Sequence, residues 1–193
     1  PDRVAALVAA SGGSGGHPPA RETWLKDTRA MADRMISLDR LDLPEFVHGP
    51  ARVQLENKDP HAFAEFARHF AEHSPRGSGL TLRRVQAGRP SLHDREAELA
   101  ASAVPTLLMV GDEDEPCLDI NLWLKRTMPM AGLVVMPKSG HLINLENPAA
   151  FNAGIEAFLD AVAADEWQPR DPRADVNAGA WARQEQHPDN PDN

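Results

Sequence analysis

The fold class is decided by the stretch VPTLLMVG at residues 104–111, which runs directly into the three acids at 112–114. A second apolar run, LVVM at residues 133–136, leads into Pro-Lys-Ser-Gly-His at 137–141. Strands that are apolar throughout are typical of a parallel sheet buried on both faces by helices. These two runs therefore predict an α/β fold with parallel strands and crossover helices.

Two polar side chains, Asp114 and His141, follow the two predicted strands. Since parallel sheets place their ligands at the carboxyl ends of the strands, we expect these side chains to meet there. A carboxylate that orients an imidazole is two thirds of a nucleophile–base–acid triad. Taken singly, the acids at 112–115 are typical of a solvated loop, and a lone loop histidine is typical of the surface. Their pairing on adjacent strand ends favours a catalytic role for Asp114 and His141.

The nucleophile is harder to find, although Ser14 lies in the pattern G-x-S-x-G at residues 12–16, after a predicted buried strand at 4–9. A nucleophile elbow needs a helix that begins almost at once after the serine. Here the glycine run is followed by His-Pro-Pro at 17–19, which delays any helix. We therefore interpret residues 12–16 as a flexible loop and Ser14 as a residue outside the triad.

The other reactive side chains give weaker signals. His69 and His73 are four residues apart on a predicted helix, a spacing that suits a metal, but no third-ligand pattern accompanies them. Cys117 has no base next to it in the sequence and is interpreted as a buried free thiol. The chain contains neither a phosphate-binding P-loop nor a dinucleotide fingerprint. We expect no metal and no cofactor.

Composition restricts the partners and the compartment. The 193 residues carry a net charge of −9 with no basic stripe, which argues against a nucleic-acid partner. No apolar run approaches the roughly 20 residues needed to span a bilayer, so no membrane segment is expected. A single cysteine fits a reducing compartment, and we expect a cytoplasmic protein.

The pattern divides the chain into three parts. Residues 1–21 and 102–164 have the strand and helix signals of an α/β core, whereas residues 22–101 are helical and more polar, as in an inserted cap or lid. Residues 165–193 are rich in prolines and acids, with little periodicity, and are predicted to be a disordered tail.

Helix starts are clearest where an Asx residue precedes proline. Asp59 followed by Pro60, and Asn147 followed by Pro148, each predict a side-chain cap and a first-turn proline. A crossover helix is expected from about Asp119 to Arg126, between the strands at 104–111 and 133–136.

Taken together, the motifs resemble the C-terminal half of the α/β-hydrolase-fold superfamily. PDRVAALV at residues 1–8 looks like the strand that follows the nucleophile-bearing helix, and PTLLMVGDED at 105–114 looks like the strand and acid turn. SGHLINLENP at 139–148 looks like the catalytic-histidine loop and the start of the final helix, and RPSL at 89–92 resembles the end of the cap. The resemblance covers residues 1 to about 163. It implies that the family's serine elbow precedes Pro1, so we expect a piece of a longer enzyme that is inactive alone.

The resemblance implies a serine-hydrolase-type enzyme that cleaves an ester or a related carbonyl compound without a cofactor. His141 would be the base, Asp114 the acid, and the cap would shape a pocket for a small apolar acyl or ester substrate. Two alternatives remain open. The chain is a hydrolase-fold binding protein without activity, which forms a homodimer through an unpaired sheet edge, or it belongs to an enzyme that cleaves carbon–carbon bonds on the same fold.

Overall fold

Three parallel strands form the sheet in the computed structural model, which describes residues 3–174. The strands are β1 (Leu7–Ala10), β2 (Thr106–Gly111) and β3 (Ala131–Met136), in the spatial order β1-β2-β3. Every residue of the central strand β2 is buried. The predicted α/β class with a parallel sheet is confirmed.

Helices make up most of the remaining chain. The α-helices are α1 (Arg21–Ile36), α2 (Pro44–Val47), α3 (Val53–Lys58), α4 (Pro60–Glu72), α5 (Pro75–Thr81), α6 (Glu96–Ala100), α7 (Glu115–Thr127), α8 (Ile143–Glu146) and α9 (Pro148–Ala163). Short 3₁₀ turns occupy Pro18–Ala20, Pro50–Arg52, Leu92–Arg95 and Pro172–Ala174, and a π-turn occupies Leu82–Gln86. All elements between β1 and β2 are helical, and we call residues 18–101 the helical insertion. Within residues 3–174, none of the helices combines the length and apolarity required to cross a membrane.

The sheet is covered on both faces because successive side chains of a strand point to opposite sides. Leu107 and Met109 of β2 pack in one core cluster with Phe158 of α9. Leu108, between them in sequence, packs in a second cluster with Ile120 of α7. Helices α7 and α9 therefore sandwich the sheet, which explains the unbroken apolar pattern of β2.

Strand β1 differs from its prediction, which placed a buried strand at residues 4–9. The strand begins at Leu7 rather than at Val4, and both residues are exposed, Leu7 by 44% and Val4 by 49%. The reason is position: among the described residues β1 lies at the edge of the sheet and pairs with β2 alone. An apolar sequence therefore predicted the strand but not how much of it is covered.

The helix starts are confirmed, but only one of the two predicted caps forms. The Asp59 carboxylate accepts the Ala62 N–H at 2.9 Å at the start of α4. Asn147 precedes α9 without capping it, since its amide instead faces Ser139 and Lys58. Helix α7 begins at Glu115, about one turn earlier than expected.

The predicted disordered tail begins too early at residue 165. The Trp167 ring contacts the Phe158 ring edge-to-face at 4.6 Å between centroids, and it lies directly over the backbone of Gly132 in β3. Its Nε1–H donates to the Met130 carbonyl at 2.9 Å. Burial of a large aromatic ring together with this hydrogen bond offsets the entropy lost by ordering the segment. Residues 175–193 lie outside the described part of the chain.

Gly111, at the end of β2, brings the two loops after β2 and β3 into contact. A Cβ atom on Gly111 would fall far inside contact distance of the carbonyl oxygens of Ser139 and Gly140. Both of these contacts are with backbone, which cannot rotate away as a side chain can. Only glycine permits this approach.

We expect Gly111→Ala to lower the free energy of unfolding by about 1–3 kcal/mol, the usual cost of overpacking a close-packed interior. Urea unfolding followed by circular dichroism measures this loss. Gly12→Ala is the matched control, because its added Cβ meets no atom within 4 Å. Equal stabilities of the two variants would show that the loops do not meet at Gly111.

Candidate active site

A hydrogen bond joins the two side chains that the sequence singled out. Asp114 Oδ2 lies 2.8 Å from His141 Nδ1. The Asp114 side chain is 2% exposed, whereas the His141 side chain is 36% exposed. A buried carboxylate on one ring nitrogen fixes the orientation of the imidazole and favours a proton on Nδ1. The other nitrogen, Nε2, makes no hydrogen bond within residues 3–174 and is free to act as a base.

Backbone hydrogen bonds fix the two loops against each other. Asp112 N–H donates to the Met136 carbonyl and Glu113 N–H to the Ser139 carbonyl, both at 3.0 Å. In return, the Asp112 carboxylate accepts the Ser139 N–H at 3.1 Å. This bond, helped by the nearby Lys138 backbone and charge, lowers the pKa of Asp112. Asp112 therefore supports the loops, while Asp114 faces the histidine.

Glu146 holds the backbone on both sides of His141. One oxygen of its carboxylate accepts the Gly140 N–H at 2.7 Å, and the other accepts the Leu142 N–H at 3.1 Å. The Glu146 side chain is completely buried. Glu146 was not predicted from the sequence, although an acid five residues after the histidine in an apolar stretch is a usable signal. Glu146 is the main support of the histidine loop.

The helical insertion also contacts the histidine loop. The His141 N–H donates to the Ala51 carbonyl at 3.2 Å. Lys58 Nζ lies 3.9 Å from a Glu146 carboxylate oxygen, and it donates to the Asn147 amide oxygen at 2.9 Å in the amide orientation that satisfies both polar atoms of Asn147. These residues, distant in sequence from His141, could not be identified from spacing alone.

Cys117 lies closer to the pair than the sequence suggested. Its Sγ is 3.9 Å from His141 Nδ1 and donates to the Ser11 carbonyl at 3.4 Å. Burial, together with the charge of Asp114, raises the pKa of the Cys117 thiol to about 12. A thiol with this pKa is protonated at neutral pH and is a poor nucleophile. Its interpretation as a buried, unreactive thiol agrees with this environment.

Ser14 is not joined to His141. Its Oγ accepts the Gly16 N–H at 3.1 Å, and its carbonyl accepts the Leu92 N–H at 2.8 Å. Within the described residues no hydrogen bond connects the Ser14 hydroxyl to a histidine. The local contacts fix the loop conformation, which agrees with the interpretation of Ser14 as a loop residue.

One cluster of potential metal ligands exists in the part of the chain that the structure describes, and it is Asp114, Cys117 and His141. Its chemistry suits a hydrogen-bonded pair better than a metal ion. Asp114 Oδ2 and His141 Nδ1 already bind each other, and the Cys117 thiol would have to lose a proton at high cost before it could bind a metal. Of the two histidines that the spacing suggested as metal ligands, His69 is exposed and pairs with Glu65 and Glu72 of its own helix, and His73 lies just beyond the end of that helix.

The sequence that forms this sheet and this acid–histidine pair also matches a known family. A model of the alpha/beta hydrolase family matches residues 1–154. The chain belongs to the alpha/beta hydrolase family. The resemblance inferred from the sequence is thus confirmed.

Comparison with individual members shows the same fold. The chain is 27% identical over 169 residues to a Bacillus subtilis (strain 168) protein named "Putative 2-succinyl-6-hydroxy-2,4-cyclohexadiene-1-carboxylate synthase". The matched region covers 84% of this chain and 59% of that protein. MenH from S. aureus superposes with a TM-score of 0.74 at 19% identity, over 82% of this chain and 60% of MenH. A thermophilic esterase from Thermogutta terrifontis superposes with a TM-score of 0.64 at 24% identity, over 83% of this chain and 57% of the esterase. The chain therefore spans about three fifths of the length of these relatives.

We expect Glu146→Gln to lower the free energy of unfolding by about 1–3 kcal/mol. An amide has one acceptor oxygen, so one of the two N–H groups beside His141 would face an NH₂ donor and lose its partner. Urea unfolding measures the change. Glu156→Gln on the exposed face of α9 is the matched control and should change stability by less than about 0.5 kcal/mol. Similar values for the two variants would contradict the supporting role of Glu146.

Proposed function

We propose that this chain supplies the general base and the acid of a serine-hydrolase-type enzyme that cleaves an ester or a related carbonyl substrate. The observation that carries the proposal is the 2.8 Å hydrogen bond between Asp114 Oδ2 and His141 Nδ1, with Nε2 free. Family membership supports the same reaction type. The serine nucleophile and the oxyanion donors come from sequence outside these 193 residues, so the chain alone is inactive.

The geometry suggests the following roles. As the serine oxygen attacks the substrate carbonyl, His141 Nε2 accepts its proton, and the Asp114 carboxylate stabilises the imidazolium. The proton on Nε2 then passes to the leaving alkoxide, which departs as an alcohol. Water repeats the sequence on the acyl-enzyme, giving its proton to Nε2, and the serine recovers that proton as the carboxylic acid leaves.

We also propose that the helical insertion is a lid that shapes the substrate pocket. Support comes from its contacts with the histidine loop through Ala51 and Lys58. The insertion also contains a cavity of about 480 Å³, lined by Met35, Leu41, Phe46, Phe70, His73, Ser74, Gly77, Ser78, Thr81, Leu82 and Gln86. This mostly apolar cavity is of a size that suits a small apolar acyl group, and its lining includes neither Asp114 nor His141.

A second reaction type deserves an experiment because the Bacillus subtilis relative is named as a synthase rather than a hydrolase. The same acid–histidine pair can move protons in a carbon–carbon bond cleavage or an elimination. Product analysis with ester and with β-keto acid substrates separates the two reaction types.

To test the proposal, the chain is expressed together with the residues encoded upstream of Pro1 and treated with a fluorophosphonate probe. We expect labelling of a serine outside residues 1–193, and a loss of ester hydrolysis of about 10³-fold or more in His141→Ala and Asp114→Asn. Mass spectrometry locates the label, and p-nitrophenyl butyrate hydrolysis gives kcat/KM.

Ser14→Ala serves as the control and should leave labelling and hydrolysis unchanged, since the Ser14 hydroxyl is bound to its own loop. Labelling of Ser14 itself, in the chain alone or in the longer protein, would contradict the proposal. Undiminished hydrolysis in His141→Ala would contradict it as well.

A further inference from the structure

Arg52 is a partly buried cation close to the acid–histidine pair, and the proposed reaction does not use it. It ends the 3₁₀ turn Pro50–Arg52 and directly follows Ala51, whose carbonyl accepts the His141 N–H. The charge of Asp114 acts on the guanidinium and opposes the lowering of the Arg52 pKa by burial. Arg52 thus lies in the immediate surroundings of the site.

Two aromatic rings of the helical insertion hold the guanidinium in place. Arg52 Cζ is 4.5 Å from the centroid of the Phe46 ring and 5.6 Å from that of Phe66. Stacking of this kind stabilises a guanidinium through its face and leaves its N–H edge available. Phe46 also lines the apolar cavity of the insertion. Phe46 therefore contacts the guanidinium and also lines a space that can hold an apolar group, while Arg52 itself is not part of that lining.

The donors of Arg52 have no partner within residues 3–174. Its Nε is buried and makes no hydrogen bond, and its terminal nitrogens form neither a hydrogen bond nor an ion pair with a described carboxylate. Asp114, whose charge opposes the lowering of the Arg52 pKa, uses its Oδ2 to bind His141. A buried, unpaired N–H of a charged group is costly, and such groups are normally satisfied by a ligand when the protein does not satisfy them.

We propose that Arg52 binds the carboxylate of an anionic substrate, which extends its apolar part toward the Phe46 side of the insertion. A guanidinium presents two parallel N–H groups that match the two oxygens of a carboxylate in one plane. In a chain with a net charge of −9, a negatively charged substrate needs such a local cation to bind. The substrate class is therefore a carboxylic acid that also carries the reacting carbonyl. The identity of the reaction in this assignment rests on the proposed function. The binding of a carboxylate by Arg52 does not depend on it.

Binding is tested on the 193-residue chain with hexanoate and with its neutral isostere hexanamide. Chemical shifts of the His141 and Phe46 rings are followed by NMR during titration. We expect hexanoate to shift both rings and to bind at least about tenfold more tightly than hexanamide, since only the carboxylate pairs with the guanidinium. This comparison needs no variant and cannot be confused with misfolding.

Arg52→Gln should remove the preference for hexanoate, and Arg52→Lys should retain part of it. Arg29→Gln is the matched control, because it removes the same charge from an exposed position on α1 and should leave the preference intact. Equal binding of the two compounds to the unaltered chain would overturn the proposal. A preference that persists in Arg52→Gln would overturn it too.

A kinetic experiment on the longer protein separates this proposal from the proposed function. We expect Arg52→Gln to reduce kcat/KM for p-nitrophenyl hydrogen glutarate about tenfold or more, with little change for the neutral p-nitrophenyl butyrate. If no version of the longer protein, including the unaltered one, hydrolyses the neutral ester, the proposed function is contradicted. The hexanoate titration then tests the role of Arg52 by itself. An equal reduction for both esters in Arg52→Gln would contradict carboxylate recognition.

Discussion

The hydrogen bond between Asp114 and His141 can form only because the loops that carry them touch at Gly111. The two strands β2 and β3 are neighbours, yet adjacency in a sheet leaves several ångströms between the loops that follow. Gly111 removes the side chain that would keep the loops apart, and the bonds between the Asp112, Glu113 and Ser139 backbones then fix them together. The geometry of the Asp114–His141 pair is thus a consequence of how the backbones of the two loops pack together.

A second layer of support comes from charged groups that are buried or half-buried. Glu146 satisfies the two N–H groups beside His141, and Lys58 from the helical insertion lies next to Glu146. Through Lys58 and the Ala51 carbonyl, the insertion and the sheet meet at the histidine loop. A movement of the helical insertion would therefore change the position of His141. In the proposed enzyme this arrangement links the lid to the base.

The parts of the fold that the sequence predicted are those with short-range physical causes. The apolar run at 104–111 follows from burial on both faces, and Asp59 with Pro60 follows from the unpaired N–H groups of a helix start. The same reasoning failed where a distant segment decided the outcome. Trp167 orders a polar segment by packing on Gly132, and the Asn147 amide is drawn away from its helix by Ser139 and Lys58. No local pattern contains these partners.

The candidate site shows the same division. Asp114 and His141 could be predicted to meet because strand ends in a parallel sheet lie at one edge. Glu146 could be identified only once the burial of its side chain was known. Arg52 could be identified only once the helical insertion was seen to contact the loops after β2 and β3. The nearness of Cys117 to the ring depends on how α7 leaves the acid turn. These residues become visible only when long-range packing is known.

The hydrogen bond between Asp114 and His141 can be measured directly by ¹⁵N NMR of the His141 ring, assigned by comparison with His141→Gln. At a pH where the ring is neutral, we expect a proton on Nδ1, protected from exchange by Asp114, and no proton on Nε2. Asp114→Asn should abolish that protection. A ring that carries its proton on Nε2, or an Nδ1 proton equally exchangeable with and without the Asp114 carboxylate, would show that Asp114 does not orient the imidazole.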